Sequence, residues 1–298
     1  MQKIPKKIHY IWLSNEKLPK LPELCIESWK RHCYEYEMVL WDMDKCKNII
    51  DSVSYVKEAV QMKKWAFASD YIRLFAVYAE GGIYLDSDIY LYSSFDRFLE
   101  HEYFTNVEFS ENNFKKYGTA KIINSDGSKK DKNIIATPGI ALQAAIFAGR
   151  QGHPFLKSCM EYYESKHFIL PDGNLDMTLS PHIYAHIAQD YGFLYKDVLQ
   201  KLRNDMAIYP SEVFFGSPYI ESAFKPPYTG LAFKPVAIHL VTGTWRQPKS
   251  IFERLLRKIR DNNFIRKIFL KKSKPSLEIL LKEYEAKKDI LEKYQDLS

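Results

Sequence analysis

Between positions 64 and 88 the sequence spells one helix, one stop and one short strand, and no other stretch restricts the fold as tightly. Phe67, Tyr71, Leu74, Phe75 and Tyr78 recur at spacings of three and four, which predicts an amphipathic helix over residues 64–80. Gly81 then supplies a residue that tolerates positive φ and ends the helix, and residues 83–85 read as a strand directly behind it. The same alternation runs through the rest of the chain. Residues 4–13, rich in Ile, Tyr and Trp, read as a buried strand, 24–31 as a helix and 37–41 as a second strand. Further on, 141–148 reads as one apolar strand, 154–163 and 183–190 as helices, and 236–241 as a last strand. The polar stretch 124–133 and the Pro/Gly/Asp run 170–176 read as a hairpin or loops. Strands separated by helices predict an α/β fold with a mostly parallel central sheet, of the Rossmann-like kind.

With 298 residues, 46% of them hydrophobic, the chain is long enough for one large domain and an appendage. The expected division is a domain over 1–248 and a basic amphipathic helical extension over 249–298. Residues 249–274 hold ten Lys or Arg against only Glu253 and Asp261, so this stretch accounts for the whole positive excess of the chain. Ile251, Phe252, Leu255, Leu256 and Ile259 form one helical stripe there, and Phe264, Ile265, Ile268 and Phe269 another. Such a segment either lies on an anionic membrane surface or packs its apolar face on the domain. Without a stacking motif or a recognition helix, nucleic acid is not an expected partner. Cys25, Cys33, Cys46 and Cys159 show neither CxxC nor metal-finger spacing, so reduced thiols are expected. No stretch has the roughly 18 apolar residues of a membrane span or the apolar core of a signal peptide. The expected location is therefore cytoplasmic, with a peripheral place on the inner face of the cell membrane if the tail binds lipid.

Asp86 and Asp88 follow the strand at 83–85 and present two hard oxygen ligands at one edge of a sheet, an arrangement suited to a divalent cation that also holds a diphosphate. Gly81 and Gly82 are expected to let a ligand approach the backbone. One helical turn separates Asp70 from Arg73. Spacing alone leaves two readings open: a surface ion pair, or a site in which Asp70 accepts hydrogen bonds from sugar hydroxyls while Arg73 meets phosphate or sugar oxygens.

The run SerAspTyrIleArgLeuPheAlaValTyrAlaGluGlyGlyIleTyrLeuAspSerAsp, from Ser69 to Asp88, resembles the signature of the DxD-containing sugar transferases of glycosyltransferase family 32, which includes bacterial capsule enzymes and yeast initiating mannosyltransferases. It is also similar to the glucosyltransferase domain of the large clostridial toxins. The stretch IleProLysLysIleHisTyrIleTrpLeu at 4–13 resembles the family's opening strand, and AlaIleHisLeuValThrGlyThrTrp at 237–245 its closing one. The resemblance implies a GT-A fold, retention of anomeric configuration, a divalent metal such as Mn2+ or Mg2+, and a nucleotide-sugar donor, UDP-linked rather than GDP-linked. It implies a saccharide or lipid-linked saccharide as acceptor, in capsule, exopolysaccharide or lipopolysaccharide synthesis. By position, Trp12 would stack on the base with Ile11 and Leu13 alongside, and Ser69, Asp70 and Arg73 would hold the donor sugar, with Asp70 and Arg73 serving the chemistry. Tyr84 and Asp86 would lie by the ribose and the metal, Asp88 would ligate the metal directly, His239 would complete its shell, and Thr244 and Trp245 would fold over the diphosphate. A histidine on a strand is also a common structural residue, so His239 carries both readings. The segment 175–182 departs from the family's ThrGlyPro element, having Leu179, Ser180 and Pro181 in its place.

The sequence shows no carboxylate placed to attack the anomeric carbon, so departure and attack on the same face are expected. Two rivals remain. A phosphatase of the haloacid-dehalogenase type also sets an Asp-any-Asp pair after an apolar strand, but expects a small hydroxyl residue where Tyr90 stands. A non-catalytic carbohydrate-binding protein would use the abundant aromatics, 21 Tyr and 18 Phe, without needing the acidic pair.

Overall fold

The computed structural model describes residues 3–14, 16–214 and 236–239. The chain opens with β1 (Lys7–Ile11), α1 (Lys20–His32) and β2 (Glu37–Trp41). Three helices follow: α2 (Lys47–Ser52), α3 (Ser54–Gln61) and α4 (Trp65–Glu80). Next come β3 (Gly82–Leu85), β4 (Ile89–Leu91), β5 (Tyr103–Phe109), α5 (Glu111–Lys116), β6 (Ile140–Leu142) and β7 (Ile146–Gly149). The described part ends with α6 (Pro154–Glu164), α7 (Ser180–Ala188), β8 (Gln200–Leu202), β9 (Met206–Tyr209) and β10 (Ala237–His239).

The central sheet has the order β2-β1-β3-β7-β5-β9-β8, with β6 also paired to β5. β1 pairs in parallel with β2 and β3, and β5 with β9, while β7 runs antiparallel between β3 and β5. Strands β2, β1, β3, β5 and β9 therefore point one way, so the expected α/β sheet with a mostly common strand direction is present. β4 and β10 form a separate antiparallel pair, with His239 opposite Ile89.

Side chains alternate across the sheet and divide the core in two. On one face Tyr84, Tyr103, Val107 and Phe147 pack with residues of α2, α3, α4, α6 and α7. On the other Ile83, Leu85, Phe104 and Ile146 pack with Cys25, Ile26 and Trp29 of α1 and with β4 and β10. All four cysteines are buried free thiols, as expected.

Three differences from the sequence reading have physical causes. Residues 141–148 are two strands rather than one, because the carbonyls between them bond to side chains and to a turn amide instead of to the amides of a neighbouring strand. Thr105 Oγ1 donates to the Gln143 carbonyl, Arg73 Nη1 to that of Ala144, and the Asp86 amide to that of Ala145. β5, the strand at the middle of the far half of the sheet, escapes a hydropathy reading because Thr105 and Asn106 interrupt it, although both are fully buried. Gly81 and Gly82 do not open the backbone to a ligand. They have φ of +66° and +121°, and an added Cβ would meet Pro5 and Gln151 at the first and the Lys7 carbonyl at the second, at 2.9 Å each. These glycines let the helix-to-strand joint pack against the chain start, at the opposite end of β3 from the aspartates.

That joint is locked by His9, which is fully buried. Trp41 Nε1 donates to its Nδ1 at 3.1 Å, so the proton on Nε2 faces the Gly81 carbonyl at 2.8 Å. Burial lowers the pKa of this imidazole, in keeping with a neutral ring. The expected boundary at 248/249 and the basic tail lie outside the described residues.

Candidate active site

The geometry of the site follows from the lengths of α4 and β3. From Arg73 the helix descends to Gly81 over about 12 Å, and β3 carries the chain back to Asp86 over about 13 Å. Arg73 and Asp86 therefore arrive at the same level, at the carboxyl end of the strand, where open α/β sheets gather their ligands. Arg73 Nη2 lies 3.0 Å from Asp70 Oδ1 and 3.6 Å from Asp86 Oδ1. Its Nε donates to the Ser69 carbonyl at 3.2 Å, and its guanidinium lies 4.9 Å from the centre of the Tyr84 ring. The Tyr84 hydroxyl donates to Asp86 Oδ1 at 2.6 Å.

The surface reading of Asp70 and Arg73 is thereby removed: the two residues are 6% and 5% exposed. Burial pushes the Asp70 carboxyl up to about 6, against the Arg73 guanidinium and a Ser180 hydrogen bond that pull it down. Burial also works against the charge on Arg73, but Asp86 foremost, with Tyr84 and Asp70, keeps the guanidinium pKa well above its ordinary value. Ser180 stands at the start of α7, and the Tyr184 hydroxyl from the same helix donates to the Asp70 carbonyl at 3.1 Å. The segment 175–182, with Leu179, Ser180 and Pro181 where the resemblance called for ThrGlyPro, thus still reaches the pair through its serine.

Asp86 opens a turn that contains Asp88 and is closed by the Ile89 amide donating to the Asp86 carbonyl at 3.0 Å. His239 comes to them from β10, its Nε2 3.3 Å from Asp88 Oδ1. One ligand atom from each of Asp86, Asp88 and His239 lies within 4.8 Å of the others. Two carboxylates and an imidazole at that spacing fit a divalent cation of the Mn2+ or Mg2+ kind, and the single nitrogen favours the softer of the two. Burial lowers the His239 pKa, yet Asp88, Asp86 and Glu108 together raise it above the usual value.

The opening strand contributes differently. Ile11 and Leu13 are core residues, 8% and 4% exposed, whereas Trp12 is half-buried with its indole N–H donating to the Glu16 carbonyl at 2.8 Å. Of the three, only Trp12 offers a ring face outside the core. Thr244 and Trp245 lie outside the described residues.

Two contributors escaped the sequence reading. The Ala144 and Ala145 carbonyls hold Arg73 and the start of the Asp86 turn, and no side-chain pattern announces a backbone contact. Glu108, near the end of β5, shares a charge interaction with His239, and its strand was not read from sequence at all.

Residues 19–105 match the family model described as "Glycosyltransferase sugar-binding region containing DXD motif". An α/β sheet with that motif at the carboxyl end of an inner strand is the class of architecture the GT-A expectation called for. Among solved structures, one titled "PaToxG Glycosyltransferase" is similar with a TM-score of 0.42 and 15% identity, over 63% of this chain and 70% of that one. Mouse xyloside xylosyltransferase 1 in its apo form is similar with a TM-score of 0.35 and 10% identity, over 65% of this chain and 84% of the other. A comparison with curated proteins gave no match.

Proposed function

We propose that the chain is a metal-dependent retaining glycosyltransferase that moves a hexose from a nucleotide sugar, UDP-linked by preference, to a saccharide acceptor in the assembly of a bacterial surface polysaccharide. The observation that carries this reading is the meeting of Asp86, Asp88 and His239 within 4.8 Å, next to the buried Asp70–Arg73 pair. The matched sugar-binding region supports it.

Glycosyl transfer leaves negative charge on a departing diphosphate, and a cation held by Asp86, Asp88 and His239 would supply Lewis-acid stabilisation of that charge. Tyr84 and Arg73 both engage Asp86 Oδ1 and so fix the plane of its carboxylate. Asp70, aligned by Arg73 and Ser180, presents a carboxylate to sugar hydroxyls. The half-buried Trp12 ring offers a stacking surface for the base. The reading includes departure and attack on one face of the sugar.

The phosphatase and carbohydrate-binding readings have no use for the Asp70–Arg73–Asp86 chain of contacts. Incubating the protein with a panel of nucleotide sugars, with and without Mn2+, separates the three: metal-dependent release of nucleoside diphosphate is expected, and its absence across the panel would defeat the transferase reading. Among the described residues no helix is long and apolar enough to cross a membrane. A membrane-surface role for 249–274 belongs to the same proposal, and co-sedimentation with anionic vesicles, compared before and after removal of 249–298, tests it.

A further inference from the structure

Residues 143–145 join β6 to β7, and two of their carbonyls reach the candidate site. Arg73 Nη1 donates to the Ala144 carbonyl at 2.9 Å, and the Asp86 amide donates to the Ala145 carbonyl at 2.9 Å. The segment therefore holds both Arg73 and Asp86, whose charged groups lie 3.6 Å apart. The Ala144 carbonyl and the Ala145 amide belong to one planar peptide unit. Arg73 grips the carbonyl end of that plane, and Gln143 Oε1 accepts a hydrogen bond from its amide end at 3.1 Å.

Gln143 is itself fixed by the neighbouring strand. Its amide donates to the Asn106 carbonyl at 2.9 Å, and its carbonyl accepts from Thr105 Oγ1 at 3.0 Å, a hydroxyl that also lies 2.7 Å from the Ile146 carbonyl. The residue is 1% exposed, and its Nε2 is sealed from solvent with no acceptor among the described residues. Asn106, the residue it pairs with, likewise leaves Oδ1 buried without a donor. An unpaired amide group in such a place is a cost that an apolar side chain of similar volume does not carry. Among the described residues the bond to the Ala145 amide is the one hydrogen bond this side chain makes, so holding that peptide plane is what an amide side chain does here. A sealed atom touches no substrate, and the residue acts through its neighbours.

We propose that Gln143 is a positioning residue for the transfer reaction: it keeps the Ala144–Ala145 peptide plane turned so that its carbonyl stays on Arg73, and Arg73 in turn stays on Asp86. This rests on the transferase reading above. Without the accepting oxygen the amide end of the plane is unanchored, and the guanidinium loses the fixed carbonyl that sets its distance to the Asp86 carboxylate. Gln143 forms no bond to substrate or metal, and its effect reaches them through Arg73.

The test uses the full chain with two variants. Gln143→Met keeps the volume and removes the accepting oxygen, while Gln143→Glu keeps an oxygen to face Ala145. Calorimetric titration of Mn2+ in the presence of UDP is expected to show affinity about three- to tenfold weaker for Gln143→Met, near the lower end of effects from groups that orient ligands. The kcat for hydrolysis of the nucleotide sugar that the wild type turns over fastest is expected to fall about tenfold, and Gln143→Glu to restore part of both losses. The melting temperature is expected to stay within about 3 °C, since one buried unpaired N–H, on Nε2, is exchanged for another, on Ala145. Added to Arg73→Lys, Gln143→Met is expected to lower Mn2+ affinity by less than about twofold more, because the two act through one contact. Wild-type Mn2+ affinity in Gln143→Met would overturn the assignment, as would a double variant in which the two losses multiply. So would a Gln143→Met that loses melting temperature alone, or a Gln143→Glu as impaired as Gln143→Met. A wild type that binds Mn2+ and UDP but releases nucleoside diphosphate from no sugar would defeat the transferase reading, while the Mn2+ affinities of the variants still decide whether Gln143 positions Arg73. A wild type that takes up no Mn2+ would remove both.

Discussion

Arg73 reaches from the middle of α4 to within 3.6 Å of Asp86 at the end of β3, and the same guanidinium holds Asp70 at 3.0 Å. One cation thus ties the helix that carries Asp70 to the turn that carries Asp86. Removing it strands both acids. Arg73→Ala is expected to destabilise the fold by about 3–5 kcal/mol, because a buried charge then loses its partner. Arg73→Lys is expected to cost less, since the charge remains while the planar fork is lost. Urea unfolding of the two variants and the wild type checks the order, and equal stability of all three would show that the pair is not coupled to the fold.

At the proposed metal site, Asp88→Ala is expected to reduce Mn2+-dependent donor hydrolysis by about 100-fold or more, since loss of a proposed ligand should exceed the 10- to 100-fold effects typical of outer-shell partners. Tyr84→Phe removes the hydroxyl that donates to Asp86 at 2.6 Å and is expected to fall in that smaller range. Initial rates across a Mn2+ titration check both. A Tyr84→Phe effect larger than that of Asp88→Ala would reverse the roles given to them.

The helix-to-strand joint offers a stability test away from the chemistry. Gly82→Ala is expected to cost more than about 2 kcal/mol, since the new Cβ adds a collision with the Lys7 carbonyl to the strain of positive φ. Gly173→Ala, at φ of +81° with open space around it, is expected to cost about 1 kcal/mol, from strain alone. Denaturant midpoints measure the difference.

This joint also shows how far the sequence could be read. The helix, its glycine stop and the acidic pair were legible because apolar spacing, a positive-φ residue and two neighbouring carboxylates are all local signals. The purpose of Gly82 was misread because its neighbour, the Lys7 carbonyl, is brought in by the parallel pairing of β1 with β3. β5 was missed for a related reason: Thr105 and Asn106 look like solvent residues until Gln143, Ile146 and Ser211 supply their hydrogen-bond partners. The role of Ser180 was hidden in the same way, in a tertiary contact between α7 and α4 that no spacing encodes.

A pH-dependent contribution is expected from Lys129. Its ammonium is buried, donates to the Ile134 and Ile135 carbonyls, lies 4.7 Å from the centre of the Tyr195 ring, and has no carboxylate in ion-pair contact among the described residues. Burial lowers its pKa from 10.5 to about 8, with Asp131 opposing the shift. Between those values the unfolded chain binds more protons than the folded one, so this residue's contribution to stability rises with pH across that window. Relative to Lys129→Met, the wild type is expected to gain about 1–3 kcal/mol between pH 8 and 10, read from urea midpoints at each pH. A constant difference across the window would show that the lysine titrates normally.

The central claim is that Asp86, Asp88 and His239 hold a divalent cation that in turn holds a nucleoside diphosphate. Calorimetric titration of Mn2+ into the full chain in the presence of UDP addresses it without any need for an acceptor. The account predicts one binding site that Asp88→Ala abolishes and His239→Ala weakens. A wild type that takes up no Mn2+ under these conditions, or an Asp88→Ala variant that binds it as the wild type does, would contradict it.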